Sequence, residues 1–192
     1  MNKLTHHDLL TLEAYARERP DFRTRVLAHK QRRTLHLGDH LTLLFEDRQT
    51  VHYQIQEMLR IERIFEAAGI QDELDAYNPL IPDGSNLKAT LLVEYEDEQQ
   101  RRRELQRLRG LEDHIELQVG NESVTAIADE DMERSNDDKT SAVHFLRFEL
   151  TPAMIAGWKH DAEIIVRCTH PADTVATTLS PEQRHTLAAD FT

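Results

Sequence analysis

The chain has 192 residues, 39% hydrophobic and 30% charged, with a net charge of −12. That is length enough for one domain with a substantial core, while no apolar run approaches the roughly 20 residues that cross a bilayer. The acidic balance argues against nucleic acid or anionic membrane as general partners.

The N-terminal stretch MNKLTHHDLLTLEAYARERP is too polar for a signal peptide and too acidic for a transit peptide. Residues 5–19 read as a helix capped by Thr5, with a second helix beginning at Pro20, where a missing N–H costs nothing. Between Arg17 and Arg33 seven basic side chains stand against two acidic ones, a patch suited to an acidic partner or to a solvated helix face. Thr34–Leu37 and Leu41–Phe45 flank Gly38-Asp39 as a hairpin. A long helix of roughly Arg48–Ala68 follows, carried by the apolar stripe Val51, Ile55, Met58, Leu59, Ile61 and Phe65, and Gly69 supplies a left-handed stop. Phe65 is expected in the core.

After another short helix over Gln71–Tyr77, the prolines and Asp83-Gly84 force a loop. Leu87–Tyr95 is a strand and 97–109 a charged helix ended by Gly110. His114–Val119 and Ser123–Ala128 form a hairpin across Gly120-Asn121. Ala142–Leu150 is the clearest strand, Thr151-Pro152 opens a helix containing Trp158, and Ala162–Thr169 is the last strand. Short turns between alternating strands predict an α+β fold: a mainly antiparallel sheet with helices, including the long one near 48–68, packed on one face. Residues 1–170 are expected to form the domain. Residues 171–192 read as an extension that is either mobile or a short helix opening at Ser180-Pro181.

The stretches RVLAHKQRR (25–33), LFEDRQTVHYQIQEMLRIERIF (44–65), ELDAYNPLIPDGSNLKATLLVEY (73–95) and ADEDMERSNDDKTSAVHFLRFEL (128–150) resemble a bacterial family called domain of unknown function 3501, over roughly residues 3–170. Members are encoded near rubrerythrin-like proteins and near iron–sulfur or flavin-linked oxidoreductases. The resemblance therefore implies a role in redox or peroxide defence in the cytoplasm, and it brings no catalytic residues with it. The single Cys168 agrees with a reducing compartment, since it excludes an internal disulfide.

The chain holds no GxGxxG, Walker A, CxxC, GxSxG or HExxH motif. Eleven histidines raise the question of a metal. The long helix lacks the Glu-x-x-His of di-iron sites, because Arg60 follows Glu57 at i+3 and Phe65 follows Glu62. A mononuclear site would combine His52 and Glu57 with the strand residue His144, although a histidine among Ala142, Leu146 and Phe148 is more often a satisfied core residue. Alternatively, Arg60, Arg63 and Arg147 beside Glu57 would hold an anionic ligand, or simply form an ion-pair network. Cys168, on a face with Ile164 and Val166, reads as buried and inert.

The absence of such motifs, with the neighbourhood that the resemblance implies, favours an accessory protein that binds a rubrerythrin-like or iron–sulfur oxidoreductase partner. The alternatives are a metal- or haem-binding protein using His52, Glu57 and His144, and a small enzyme acting on an anionic metabolite.

Overall fold

The computed structural model describes residues 2–128 and 140–192; part of the 128–150 stretch quoted above lies outside them. The fold is α+β with antiparallel pairing throughout its sheets. The strands divide between two sheets, where alternation alone suggested one.

The first sheet runs β1 (Thr34–Leu37), β2 (Leu41–Glu46), β3 (Asn86–Val93), β7 (Val143–Glu149) and β6 (Ile127–Ala128), in that spatial order. The second runs β5 (Glu122–Thr125), β4 (Ile115–Val119), β8 (Ile164–His170) and β9 (Asp173–Thr178). The 115–125 hairpin thus pairs with β8 and not with β3 or β7. Leu41, Leu43, Phe45, Leu87, Leu91, Leu146 and Phe148 of the first sheet share one core with Ile115, Leu117, Ile164, Val166 and Cys168 of the second. Alternation follows from the pleat: the residues between them in sequence, such as Leu44, Thr90 and Phe145, point to the outer face of the first sheet.

That outer face is covered by helices. α1 (Leu12–Gln31) is one helix and does not restart at Pro20. Pro20 is exposed, so the carbonyl it deprives of a partner lies on the watered side. Thr5 caps a single 3₁₀ turn at His6–Asp8. α2 (Arg48–Glu62) begins on Asp47, whose carboxylate accepts from Gln49 N at 3.0 Å and Thr50 N at 2.9 Å. Val51, Ile55 and Leu59 are buried, as their spacing predicts, in a second apolar cluster with Leu74, Leu80 and Ile81.

α2 ends six residues before the predicted point. Arg63 takes the left-handed conformation (φ 58°, ψ 41°), and Ile64 N donates to Leu59 O at 2.9 Å. This is a Schellman closure, which sets an apolar residue just past the turn against one inside the helix, here Ile64 and Leu59. Gly69 lies inside α3 (Ala67–Tyr77), where a β-carbon would stand 2.8 Å from Ile64 Cγ2. Phe65 lies beyond the helix end and is 70% exposed, and Ile61, on the last turn of α2, is 61% exposed. Phe65 is not a core residue.

α4 (Glu98–Arg107) contributes Leu105 to the inter-sheet core; α5 (Pro152–Lys159) contributes Met154 and Trp158, and α6 (Pro181–Ala188) contributes Leu187. Beyond residue 170 the chain forms β9 and α6, with Phe191 against Trp158 at 5.2 Å between ring centroids. The outward carbonyls of β1 are taken by side chains: Thr34 O by Gln183 Nε2 (2.6 Å) and His36 O by Thr177 Oγ1 (3.1 Å).

Candidate functional site

The seam between α1 and α2 is organised by Glu57. Its Oε1 accepts from Tyr15 Oη and Arg19 Nε, both at 2.7 Å, and its Oε2 from Arg19 Nη2 at 2.9 Å and Arg60 Nη2 at 3.1 Å. The Arg19 guanidinium, with Tyr15 and Arg60, holds the Glu57 carboxyl down at about 2. Four donated hydrogen bonds fill the lone-pair directions of a carboxylate. Glu57 is therefore occupied as a helix-to-helix tie, and it carries Arg60 with it.

Gln56, fully buried one residue earlier, clasps the segment that precedes α1. Its Oε1 accepts from Leu10 N at 2.6 Å and its Nε2 donates to Leu10 O at 3.3 Å. This clasp and the early end of α2 leave a groove of about 530 Å³ lined by Leu9, Leu12, Leu59, Ile64, Phe65 and Ile70, with His6 and Glu13 at its polar margin. Ile61, on the last turn of α2, is exposed as well.

The remaining residues of the predicted site scatter. His52 packs edge-on against Phe22 at 5.2 Å between centroids, its Nε2 buried without a hydrogen-bond partner among the described residues. Burial pushes its imidazole toward the neutral form. Arg63 is the left-handed cap. His144 points into the inter-sheet core, its Nε2 within 2.9 Å of Ser141 O and 3.0 Å of Thr140 Oγ1, and burial lowers its basicity as well. Arg147 points the other way along the same strand and pairs with Glu149. The first sheet thus stands between His144 and the pair His52 and Glu57, so the three cannot ligate one ion. Among the described residues no group of three His, Cys, Asp or Glu side chains is placed to hold a metal.

Cys168 is buried, and burial raises its thiol above the usual range, which makes a poor nucleophile. Of the basic stretch, Arg17, Arg23 and Arg25 are exposed on α1 and Arg32 is exposed just past its end. Arg33 is 1% exposed and turned inward. Among the described residues no helix is long and apolar enough to cross a membrane.

Sequence reasoning missed the groove because the helix was carried on to Ala68, which put Phe65 in the core and left Ile64 and Ile70 unassigned. The available signal was the pair Ile64-Phe65 directly after two charged residues, an apolar excess where a helix end is normally polar.

The comparisons with known proteins bear on what this arrangement belongs to. A crystal structure at 1.90 Å of a novel protein of unknown function from Burkholderia pseudomallei K96243 is similar over 100% of both chains, with 55% sequence identity and a TM-score of 0.94. No curated protein matches the chain. The model of the family described as protein of unknown function (DUF3501) matches residues 3–191, reaching through β9 and α6. The chain belongs to that family.

Proposed function

We propose that this chain is an accessory protein of a cytoplasmic redox or peroxide-defence system, and that it binds a partner oxidoreductase of the rubrerythrin-like or iron–sulfur kind through its helical layer. The observation that carries the reading is the 70% exposure of Phe65 where it lines the Leu9–Ile70 groove, with Ile61 (61%) also exposed on the last turn of α2. Large apolar side chains gathered at one exposed place characterise protein-binding surfaces, and an aromatic anchor is the usual centre of such a contact. The exposed arginines of α1 supply a second element, since opposite charge on a partner speeds encounter. The tie through Glu57 holds α1 and α2 in one rigid layer, which limits the ordering cost of docking.

The test is direct binding of the purified chain to purified rubrerythrin-like and iron–sulfur oxidoreductases at low salt. Phe65→Asp should abolish association. Charge reversal at Arg23, Arg25 and Arg32 should slow it and flatten its dependence on salt. Absence of association with every such protein, or binding indifferent to Phe65→Asp, overturns the reading.

A further inference from the structure

A second cavity, of about 300 Å³, lies between the outer face of the first sheet and α2. It shares no residue with the docking groove. Its floor is a row in strand register, Leu44 of β2, Thr90 of β3 and Phe145 of β7. Its most telling group is Glu46, at the end of β2 and 9% exposed. Thr50 Oγ1 donates to Glu46 Oε2 at 2.5 Å and Thr90 Oγ1 donates to Oε1 at 2.7 Å.

Both of those donors are neutral. A carboxylate has about four lone-pair directions, so two remain, and a buried carboxylate that among the described residues is held by hydroxyls alone lacks the cation that ordinarily offsets its desolvation. Lys88 stands opposite Glu46 in the strand register, yet the carboxylates acting on its ammonium are Glu149 and Asp83. Lys30 of α1 lines the same cavity, with its ammonium 5.7 Å from the Tyr53 ring centroid. One wall therefore asks for a cation and another offers one. Between them lie Leu44, Leu92 and Phe145, which are apolar.

We propose that this cavity binds a small zwitterion of amino-acid size, with its ammonium on Glu46, its carboxylate toward Lys30 and its apolar body over Leu44, Leu92 and Phe145. The volume sits at the lower end of the range for ligand pockets, which suits so small a molecule. The hydroxyls of Thr50 and Thr90 fix the carboxylate plane of Glu46 in advance, leaving its free lone pairs toward the cavity. A lone amine would leave Lys30 uncompensated, and a lone carboxylate would leave Glu46 so.

Isothermal titration of the full chain with L-valine, L-leucine and L-phenylalanine tests this, with isoamylamine and isocaproate as one-charge relatives of leucine. At least one amino acid should bind saturably and more tightly than either relative. Glu46→Gln keeps the hydroxyl bonds and should weaken binding about tenfold or more, as should Lys30→Met, each removing one charge-assisted contact. Thr90→Leu should fill the cavity and remove binding, with circular dichroism confirming that each variant is folded. No saturable binding by any of the three amino acids overturns the proposal. So does binding equal in all variants, or a one-charge relative binding as tightly as leucine.

Discussion

Asp190 grips Arg33 across 157 residues of sequence in a two-pronged ion pair, with both side chains 1% exposed. The same guanidinium donates through Nε to Phe45 O (2.8 Å) and through Nη2 to Glu46 O (3.1 Å). It also lies 3.5 Å from Asp47, which is 2.6 Å from His29 Nε2. One arginine thereby joins the end of α1, the end of β2, the cap of α2 and the segment after α6. Removing it leaves the buried Asp190 carboxylate without its partner, and Arg33→Met should cost about 3–5 kcal/mol in urea unfolding. Arg33→Lys should recover little, because an ammonium has no fork to reach two carbonyls and a carboxylate together.

Burial raises the Asp190 carboxyl to about 6, from an ordinary 3.8, against the pull of Arg33. An acid whose folded value exceeds its unfolded one helps the fold while it is protonated. Its contribution is complete below the ordinary value and is lost as pH rises through about 6. The stability of wild type relative to Asp190→Asn should therefore decline between pH 4 and pH 6. Urea unfolding of both proteins across that window checks the sign; a wild-type advantage that grows with pH refutes it.

Glu57 has the opposite sign. Its carboxyl is held near 2 by Arg19, Tyr15 and Arg60, below an ordinary 4.5, so its contribution is complete above the ordinary value and disappears as pH falls toward 2. Glu57→Gln should cost about 1.5–3 kcal/mol at neutral pH, the scale of a hydrogen bond to a charged group. The variant should also show a smaller acid-induced fall in melting temperature than wild type.

At the end of α2 the expected effects reverse ordinary intuition. Phe65→Ala, which removes a large aromatic, should change stability by less than about 0.5 kcal/mol, as exposed substitutions do. Ile55→Ala, on the buried stripe, should cost about 2–5 kcal/mol. Arg63→Gly should stabilise by about 0.5–1 kcal/mol, because glycine takes the left-handed turn without penalty.

Gly69→Ala sets helix propensity against packing. Alanine gains about 1 kcal/mol inside a helix, yet its β-carbon would stand 2.8 Å from Ile64 Cγ2. Overpacking costs about 1–3 kcal/mol, and Ile64 is held by the Schellman turn. A net loss in thermal unfolding is expected.

What could be read from the sequence was local. Val51, Ile55 and Leu59 declare the buried face of α2 by spacing alone, and Thr151-Pro152 and Ser180-Pro181 declare two helix starts, since caps act within one turn. The end of α2 was invisible, because an arginine in left-handed geometry is chosen by the packing of Ile64 on Leu59 and not by its own preference. β9, DTVATT, has a single large apolar residue and forms because β8 offers it an edge. Alternation tells which face of a strand is buried but not which strand lies beside it, so the division into two sheets could not be read. Within the candidate site, Glu57 and Arg60 were legible as neighbours on one helix. Tyr15 and Arg19, which complete their network, come from another helix about forty residues away.

The carbonyls of β1 taken by Gln183 and Thr177 bear on how this molecule meets others. An edge strand with open carbonyls is a template on which a foreign strand can extend the sheet. At Thr34 and His36 that template is already written over by side chains of the same chain. A visiting peptide would have to strip off β9 and α6 before it could pair with β1, so growth into strand-swapped or fibrillar assemblies from this edge is obstructed.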